Sequence, residues 1–315
     1  VTARGPCRDH IRAVFGIIHQ APALNTLTFK LFFGPFYDYG DSNHEVAAIY
    51  SHQWDIITAL GSNRNPLPKL ESLTIDDWVS ACESKSLFQS PPISLLVSSL
   101  LHLRFTIPIR GLQRSLEQRM LFWKEVVVET MLKLAVKLES LEITGIDIFW
   151  GSTDLEVAEQ CFDLSQVPTY LRLAELSLKC VVFGDVTINE KGIIIPSTVE
   201  NFIVRHAKTL KKLKLHCCAI KVTKGRARPF CYWADIFNRL AKALDELAEL
   251  EVVFGTINDM PRYVYVGGGD EEHGCFYGRF EGLEGTGGLD TRGAGKGHVI
   301  TCRRVKNASI ESNKC

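Results

Sequence analysis

A six-residue spacing of aliphatic side chains, Leu-x-x-Leu-x-Leu, recurs along the chain and limits what it can fold into more than any other feature. The best copies are Leu138-Glu-Ser-Leu141-Glu-Ile143, Leu173-Ala-Glu-Leu176-Ser-Leu178, Leu210-Lys-Lys-Leu213-Lys-Leu215 and Leu247-Ala-Glu-Leu250-Glu-Val252, starting 35, 37 and 37 residues apart. Weaker copies precede them at Leu70-Glu-Ser-Leu73-Thr-Ile75, Leu100-Leu-His-Leu103-Arg-Phe105 and Leu24-Asn-Thr-Leu27-Thr-Phe29. A period of this size belongs to stacked units, none of which can bury its apolar face alone. Arrays of this kind usually bind other proteins and rarely carry out chemistry.

Within each copy the fourth and sixth positions fall on one face of a short strand, because strand side chains alternate with period two. The first leucine seals the strand against the helix before it. Helical spacing leads into the copies. Val199, Phe202, Ile203 and His206 precede Leu210, and Trp233, Ile236, Phe237, Leu240 and Leu244 precede Leu247. Ser197-Thr-Val-Glu200, Thr153-Asp-Leu-Glu156 and Ser115-Leu-Glu-Gln118 have capping-box spacing, and Pro196 stops the run Ile193-Ile194-Ile195 just before the first of them. Helix, short strand, turn and helix in repeated order predict an α/β fold. Specifically, they predict an irregular leucine-rich-repeat solenoid, with a curved parallel sheet on the concave side and helices on the convex side. Counted from Leu210, Cys218 and Ile220 match the ninth and eleventh consensus positions. The other copies place Ile146, Val181 and Gly255 at the ninth, so no side-chain hydrogen-bond ladder is expected along the array.

The repeat reading assigns residues 1–261 to the solenoid. A helix and a loop (Gly34 to His44) flank the first strand, and a helix from Glu45 to Leu60 leads through Asn65-Pro66-Leu67-Pro68 into the second. Pro91-Pro92 mark the approach to the third strand, and a long helical segment spans about 112–137. Half of the 24 glycines fall beyond residue 261 and the leucine period stops there. Residues 262–315 are therefore expected to be a Gly-rich, disordered tail, with Tyr263 to Val266 as one further strand. The chain opens with Val and enters helical spacing at Ile11, Val14, Phe15 and Ile18, which suggests a fragment.

Zero net charge gives no global bias toward nucleic acid or an anionic membrane surface. No apolar stretch approaches the length of a membrane span, and no signal-peptide pattern opens the chain. The ten cysteines lack CxxC pairs or framework spacing, and Cys161, Cys180 and Cys217 lie where a small apolar residue would serve. Buried thiols of a reducing compartment are expected, hence an intracellular protein, cytoplasmic or nuclear. The neighbours Cys217 and Cys218 lack a second pair to complete a tetrahedral metal site.

Motifs that carry chemistry fail on inspection. In Gly293-Ala-Gly295-Lys296-Gly297, Asp290 stands where a phosphate loop needs its first glycine, and Gly297 replaces the magnesium-binding hydroxyl. Gly285 to Asp290 lacks the third glycine of a dinucleotide fingerprint. His44-Glu45 has no histidine at zincin spacing, since His52 comes too late, and there is no Gly-x-Ser-x-Gly elbow. No enzymatic activity, cofactor or metal is expected.

The most uneven charge lies between Arg205 and Arg228, with Lys208, Lys211, Lys212, Lys214, Lys221, Lys224 and Arg226 between them. With Leu213 and Leu215 turned inward, Lys212, Lys214 and His216 face the concave side. Glu175, Ser177 and Lys179 occupy the equivalent positions of one flanking strand, and Glu249, Glu251 and Val253 those of the other. Ser140, Glu142 and Thr144 lie one strand further out. A basic stripe bordered by acidic ones suits a protein partner of mixed charge better than a nucleic-acid backbone.

His206-Ala-Lys-Thr-Leu210-Lys-Lys-Leu213-Lys-Leu215, followed by Tyr232-Trp233-Ala-Asp-Ile236-Phe237-Asn-Arg-Leu240 and Leu247-Ala-Glu-Leu250, resembles the leucine-rich region of F-box proteins from filamentous fungi. The match is best over 195–255 and loose from 8 to 195. The resemblance implies a non-catalytic recognition module, the substrate-binding part of an F-box subunit of an SCF-type ubiquitin ligase, holding a protein target on its concave face. The family's F-box pattern is not found in this chain, where Leu67-Pro68 leads straight into a repeat strand. A Skp-type adaptor is implied as partner only if an F-box precedes the chain. The alternative expectation is a free-standing leucine-rich-repeat scaffold unrelated to ubiquitination. Neither implies contact with nucleic acid or a membrane.

Overall fold

The computed structural model describes residues 13–14, 17–18, 21, 23–30, 53, 55–56, 59, 67, 69–76, 78, 89–108, 120–146, 163–183, 187–188, 194–223, 233–253, 273–276 and 299–303. The fold is of the α/β class, with seven strands parallel to their neighbours and helices between them. The chain divides into two compact units, Val1–Ile146 with Gln166–Leu173, and Asp147–Ser165 with Ala174–Cys315.

The first unit holds β1 (Thr26–Lys30), β2 (Ser72–Asp76), α1 (Pro91–Ser99), β3 (His102–Pro108), α2 (Phe122–Leu132) and β4 (Ser140–Ile146). The four strands pair in chain order, all parallel. Their register sets Leu27, Leu73, Leu103 and Leu141 in one row, and Phe29, Ile75, Phe105 and Ile143 two residues on. Both rows are the paired aliphatic positions of the motif. Leu73, Leu103, Leu141, Phe105 and Ile143 are buried, as period-two alternation requires of the face turned to the helices. Helix α2 buries Phe122, Trp123, Val126, Val127, Val128, Met131 and Leu132, and leaves Lys124, Glu125 and Glu129 toward the surface. It is wound wider than an α-helix: Lys133 N–H donates to Val128 O, five residues back, at 2.9 Å. Trp78 fills the centre of this layer, edge-on to Phe122 at 5.3 Å and to Phe105 at 6.1 Å.

The second unit holds β5 (Glu175–Lys179), β6 (Val182–Phe183), β7 (Thr187–Ile188), β8 (Ile194–Ile195), α3 (Thr198–Arg205), β9 (Lys212–His216) and β10 (Ala219–Thr223). It continues with α4 (Trp233–Ala243), β11 (Glu249–Val253), β12 (His273–Phe276) and β13 (Val299–Arg303). Strands β5, β9 and β11 are parallel, and the register aligns Leu176 with Leu213 and Leu250, and Leu178 with Leu215 and Val252. Strand β13 pairs antiparallel with β11. Both β12 and β13 fall in residues 262–315, which the sequence reading gives as a Gly-rich tail with one further strand at Tyr263 to Val266. Strand β10 lies between β6, parallel, and β12, antiparallel, in a second small sheet, and β7 pairs antiparallel with β8.

The capping box at α3 forms in part. Ser197 Oγ accepts from the Glu200 N–H at 3.2 Å, satisfying one of the open donors of the first turn. The Glu200 carboxylate, 1 % exposed, turns instead to α4, where Arg239 Nε and Nη2 donate to it at 2.6 and 2.9 Å. Val199, Phe202, Ile203 and His206 are all buried, as the helical spacing predicts, and so are Trp233, Ile236, Leu240 and Leu244. The boxes at Ser115 and Thr153, Cys161, the 34–44 loop and the 263–266 strand lie outside the described residues.

One backbone joint recurs where a helix hands over to a strand. The N–H groups of Glu71 and Ser72 both donate to Asn25 O, those of Leu101 and His102 to Glu71 O, and those of Glu139 and Ser140 to Leu101 O. In the second unit Lys211 and Lys212 donate to Ala174 O, and Ala248 and Glu249 to Lys211 O. In every case the acceptor is the second residue of one copy and the donors are the second and third residues of the next. Just upstream, the N–H of the first leucine closes a turn: Leu70 onto Leu67 O, Leu100 onto Val97 O, Leu138 onto Ala135 O and Leu247 onto Leu244 O. His206 to Leu210 makes the same turn with more bonds. His206 O accepts from the N–H groups of Thr209 and Leu210 at 3.0 and 2.9 Å and from Thr209 Oγ1 at 3.3 Å.

Candidate functional site

Strands β5, β9 and β11 carry on their polar face all but one of the residues that the sequence reading assigns to partner binding. Leu213 and Leu215 are buried on the helix side, so Lys212, Lys214 and His216 take the opposite side. Register brings Glu175 beside Lys212 and Glu249, Ser177 beside Lys214 and Glu251, and Lys179 beside His216 and Val253. Adjacent strands lie about 4.8 Å apart, so these form three rows of close neighbours.

Their charges pair toward one edge. Lys212 Nζ lies 3.3 Å from Glu249 Oε1, and Lys214 Nζ 3.1 Å from Glu251 Oε2. His216 Nε2 approaches the other Glu251 oxygen at 3.1 Å. The hydrogen bond from Lys214 holds the Glu251 carboxyl below its usual range; partial burial opposes this, and the nearby Lys214 and His216 charges reinforce it. Each such half-buried pair is worth about 0–1 kcal/mol. The basic stripe expected on β9 is thus largely neutralised by β11. On β5, Glu175 and Lys179 are exposed, and no ion pair holds either among the described residues.

Glu142 belongs to the first unit. There Arg104 Nε stands 3.6 Å from Glu142 and 3.8 Å from Asp76, a looser arrangement that joins β2, β3 and β4. Lys208 and Lys211 are exposed outside the strand rows, and Lys221 lies on β10 in the other sheet. Lys224, Arg226 and Arg228 lie outside the described residues.

The sequence reading missed the Glu200–Arg239 pair and the hydrogen bond of Cys218, whose ninth-position match it did note. The Glu200–Arg239 pair joins residues 39 apart, and nothing local announces it beyond a carboxylate in an apolar helix face. Cys218 is buried, and its Sγ donates to Leu178 O at 3.3 Å, so this copy does make the strand-to-strand side-chain bond that the array as a whole was expected to lack. Burial pushes the Cys218 thiol up to about 12. His206 is also buried, its Nδ1 2.7 Å from Phe202 O, and desolvation lowers its pKa.

Among the described residues, no group of three or more His, Cys, Asp or Glu side chains is arranged to hold a metal ion, and no helix is long and apolar enough to cross a membrane. No protein-family model, curated protein or solved structure matches the chain.

Proposed function

We propose that this chain is a non-catalytic protein-recognition module, an irregular leucine-rich-repeat solenoid that holds a protein partner against the polar face of β5, β9 and β11. The observation that carries the reading is the row register. Aliphatic residues of successive copies stand side by side, which leaves Glu175, Ser177, Lys179, Lys212, Lys214, His216, Glu249 and Glu251 on one rigid face. Side chains fixed on strands lose little freedom on contact, which favours recognition of an extended polar surface. The exposed pair Glu175 and Lys179, of opposite sign, favours a partner of mixed charge. The resemblance over 195–255 suggests that the partner is a target of ubiquitination, and that the recognition half of an F-box subunit is the nearest functional likeness.

The test is affinity capture with the full chain, comparing wild type with the double reversal Glu175→Lys/Lys179→Glu. Both side chains are exposed, so folding should be preserved, and thermal melting checks this. Partners recovered by wild type and lost by the variant support the face as the site. Undiminished capture of every partner would remove the face from the proposal. Skp-type adaptor among the partners of a longer chain, and its absence from those of this chain, would separate ligase membership from a free-standing scaffold.

A further inference from the structure

Just beyond the polar face, two cysteines stand at equivalent points of neighbouring copies. Lys179 is in register with His216, so the next residues, Cys180 and Cys217, leave β5 and β9 side by side. They leave in the same way: Cys180 N–H donates to His216 O at 2.8 Å, and Cys217 N–H to Val253 O at 2.7 Å. Both take a left-handed backbone, with φ of 53° and 50°. Glycine is the default residue for that conformation. A β-carbon kept here twice, each time bearing a thiol, argues for the chemistry of the sulfurs rather than for packing.

We propose that Cys180 and Cys217 form a reversible cross-strand disulfide by exchange with a low-molecular-weight disulfide. Neighbouring strands about 4.8 Å apart lie inside the Cα separation that a disulfide accepts. The side chain of Cys217 is already in hydrogen-bond contact with the Cys180 thiol. Both residues are half-buried and so within reach of a small oxidant, whereas Cys218 is buried and bonded to Leu178 O.

The hydrogen bond with Cys217 comes first, and burial second, in pushing the Cys180 thiol upward. In the proposed order the Cys217 thiol gives its proton to water and its sulfur attacks one sulfur of the small disulfide; a mixed disulfide forms and one small thiolate leaves. That thiolate takes the Cys180 proton. The Cys180 sulfur then attacks the Cys217 sulfur and expels the second small thiol, which is protonated from water. Two protein thiols are oxidised, and one small disulfide is reduced to two thiols. The bond would clamp the ends of β5 and β9 beside Lys179 and His216.

Incubating the folded full chain with glutathione disulfide, alkylating it and digesting it without reduction reads the outcome by mass spectrometry. The expected result is a linked peptide joining residues 180 and 217 that a dithiol reductant abolishes. Cys180→Gly, which suits the left-handed backbone, should retain glutathione on Cys217 at about tenfold the level in wild type, because no thiol remains to resolve it. Glutathione persisting on wild-type Cys217 without a 180–217 link would overturn the proposal. So would a 217–218 link, or a 180–217 link that appears only in urea. The wild-type map decides even if the variant fails to fold.

Discussion

The two units build their strands alike and their helical layers differently. Both use the same aliphatic rows and the same shared-carbonyl joint at each helix-to-strand passage. Behind the sheet, the first unit packs a helix with seven buried apolar side chains against an aromatic cluster centred on Trp78. The second packs α3 against α4 through a carboxylate with almost no exposure and its two-point guanidinium. In front of the sheet the contrast repeats: Arg104 stands loosely between two carboxylates in the first unit, while Lys214 and His216 close on one carboxylate in the second. The motif governs the strand rows and leaves the layers on either side free to be apolar or ionic.

Substitutions in both units sharpen this contrast, taken from the largest expected effect downward. Leu213→Asp in the second unit and Leu103→Asp in the first should each cost about 4 kcal/mol or more, since a buried leucine is lost and an unpaired charge takes its place. Chemical denaturation of the two variants should give similar losses. A Leu213→Asp protein that melts like wild type would mean the repeat phase is wrongly assigned. Glu200→Ala should cost about 3–5 kcal/mol by stranding Arg239 against α3, and the joint change Glu200→Met/Arg239→Leu should recover most of it. If the joint change is as damaging as the single one, the ionic layer has no apolar equivalent, and the two units differ more deeply than in side-chain chemistry.

Ser197→Ala should cost about 1 kcal/mol, the ordinary loss of a helix cap. Smallest of all, Lys214→Glu should lower stability by about 1 kcal/mol or less, and adding Glu251→Lys should restore it. Glu251 also makes a pH prediction. Its folded pKa is depressed, so its stabilising contribution is present above the unfolded carboxyl value of about 4.3 and fades as pH falls through the lower folded value. Glu251→Gln should flatten the acid limb of a melting-against-pH curve. An unchanged limb would show that the Lys214 pair contributes nothing to it.

Much of the strand layer was legible in the sequence, because period two and the Leu-x-x-Leu-x-Leu spacing are local and recur. Leu176, Leu213 and Leu250 can be aligned by counting alone, and so can the residues of the polar face between them. The helices at 198 and 233 were legible for the same reason. What stayed hidden depends on partners far along the chain. Counting places Lys212 and Lys214 on the face but cannot say that both lean toward β11, because that choice belongs to side-chain rotamers. Nor does spacing reveal the sheet of β6, β10 and β12, whose strands are short and carry no recurring pattern. The glycine-rich composition beyond residue 261 gave no sign of β12 and β13, since main-chain pairing needs no particular side chain.

The doubly used carbonyl at each joint is written in main-chain atoms alone. Asn25, Glu71, Leu101, Ala174 and Lys211 all serve, so side chains of very different chemistry occupy this position. Proline at the second or third residue of a copy is the exception, because it would delete a donor.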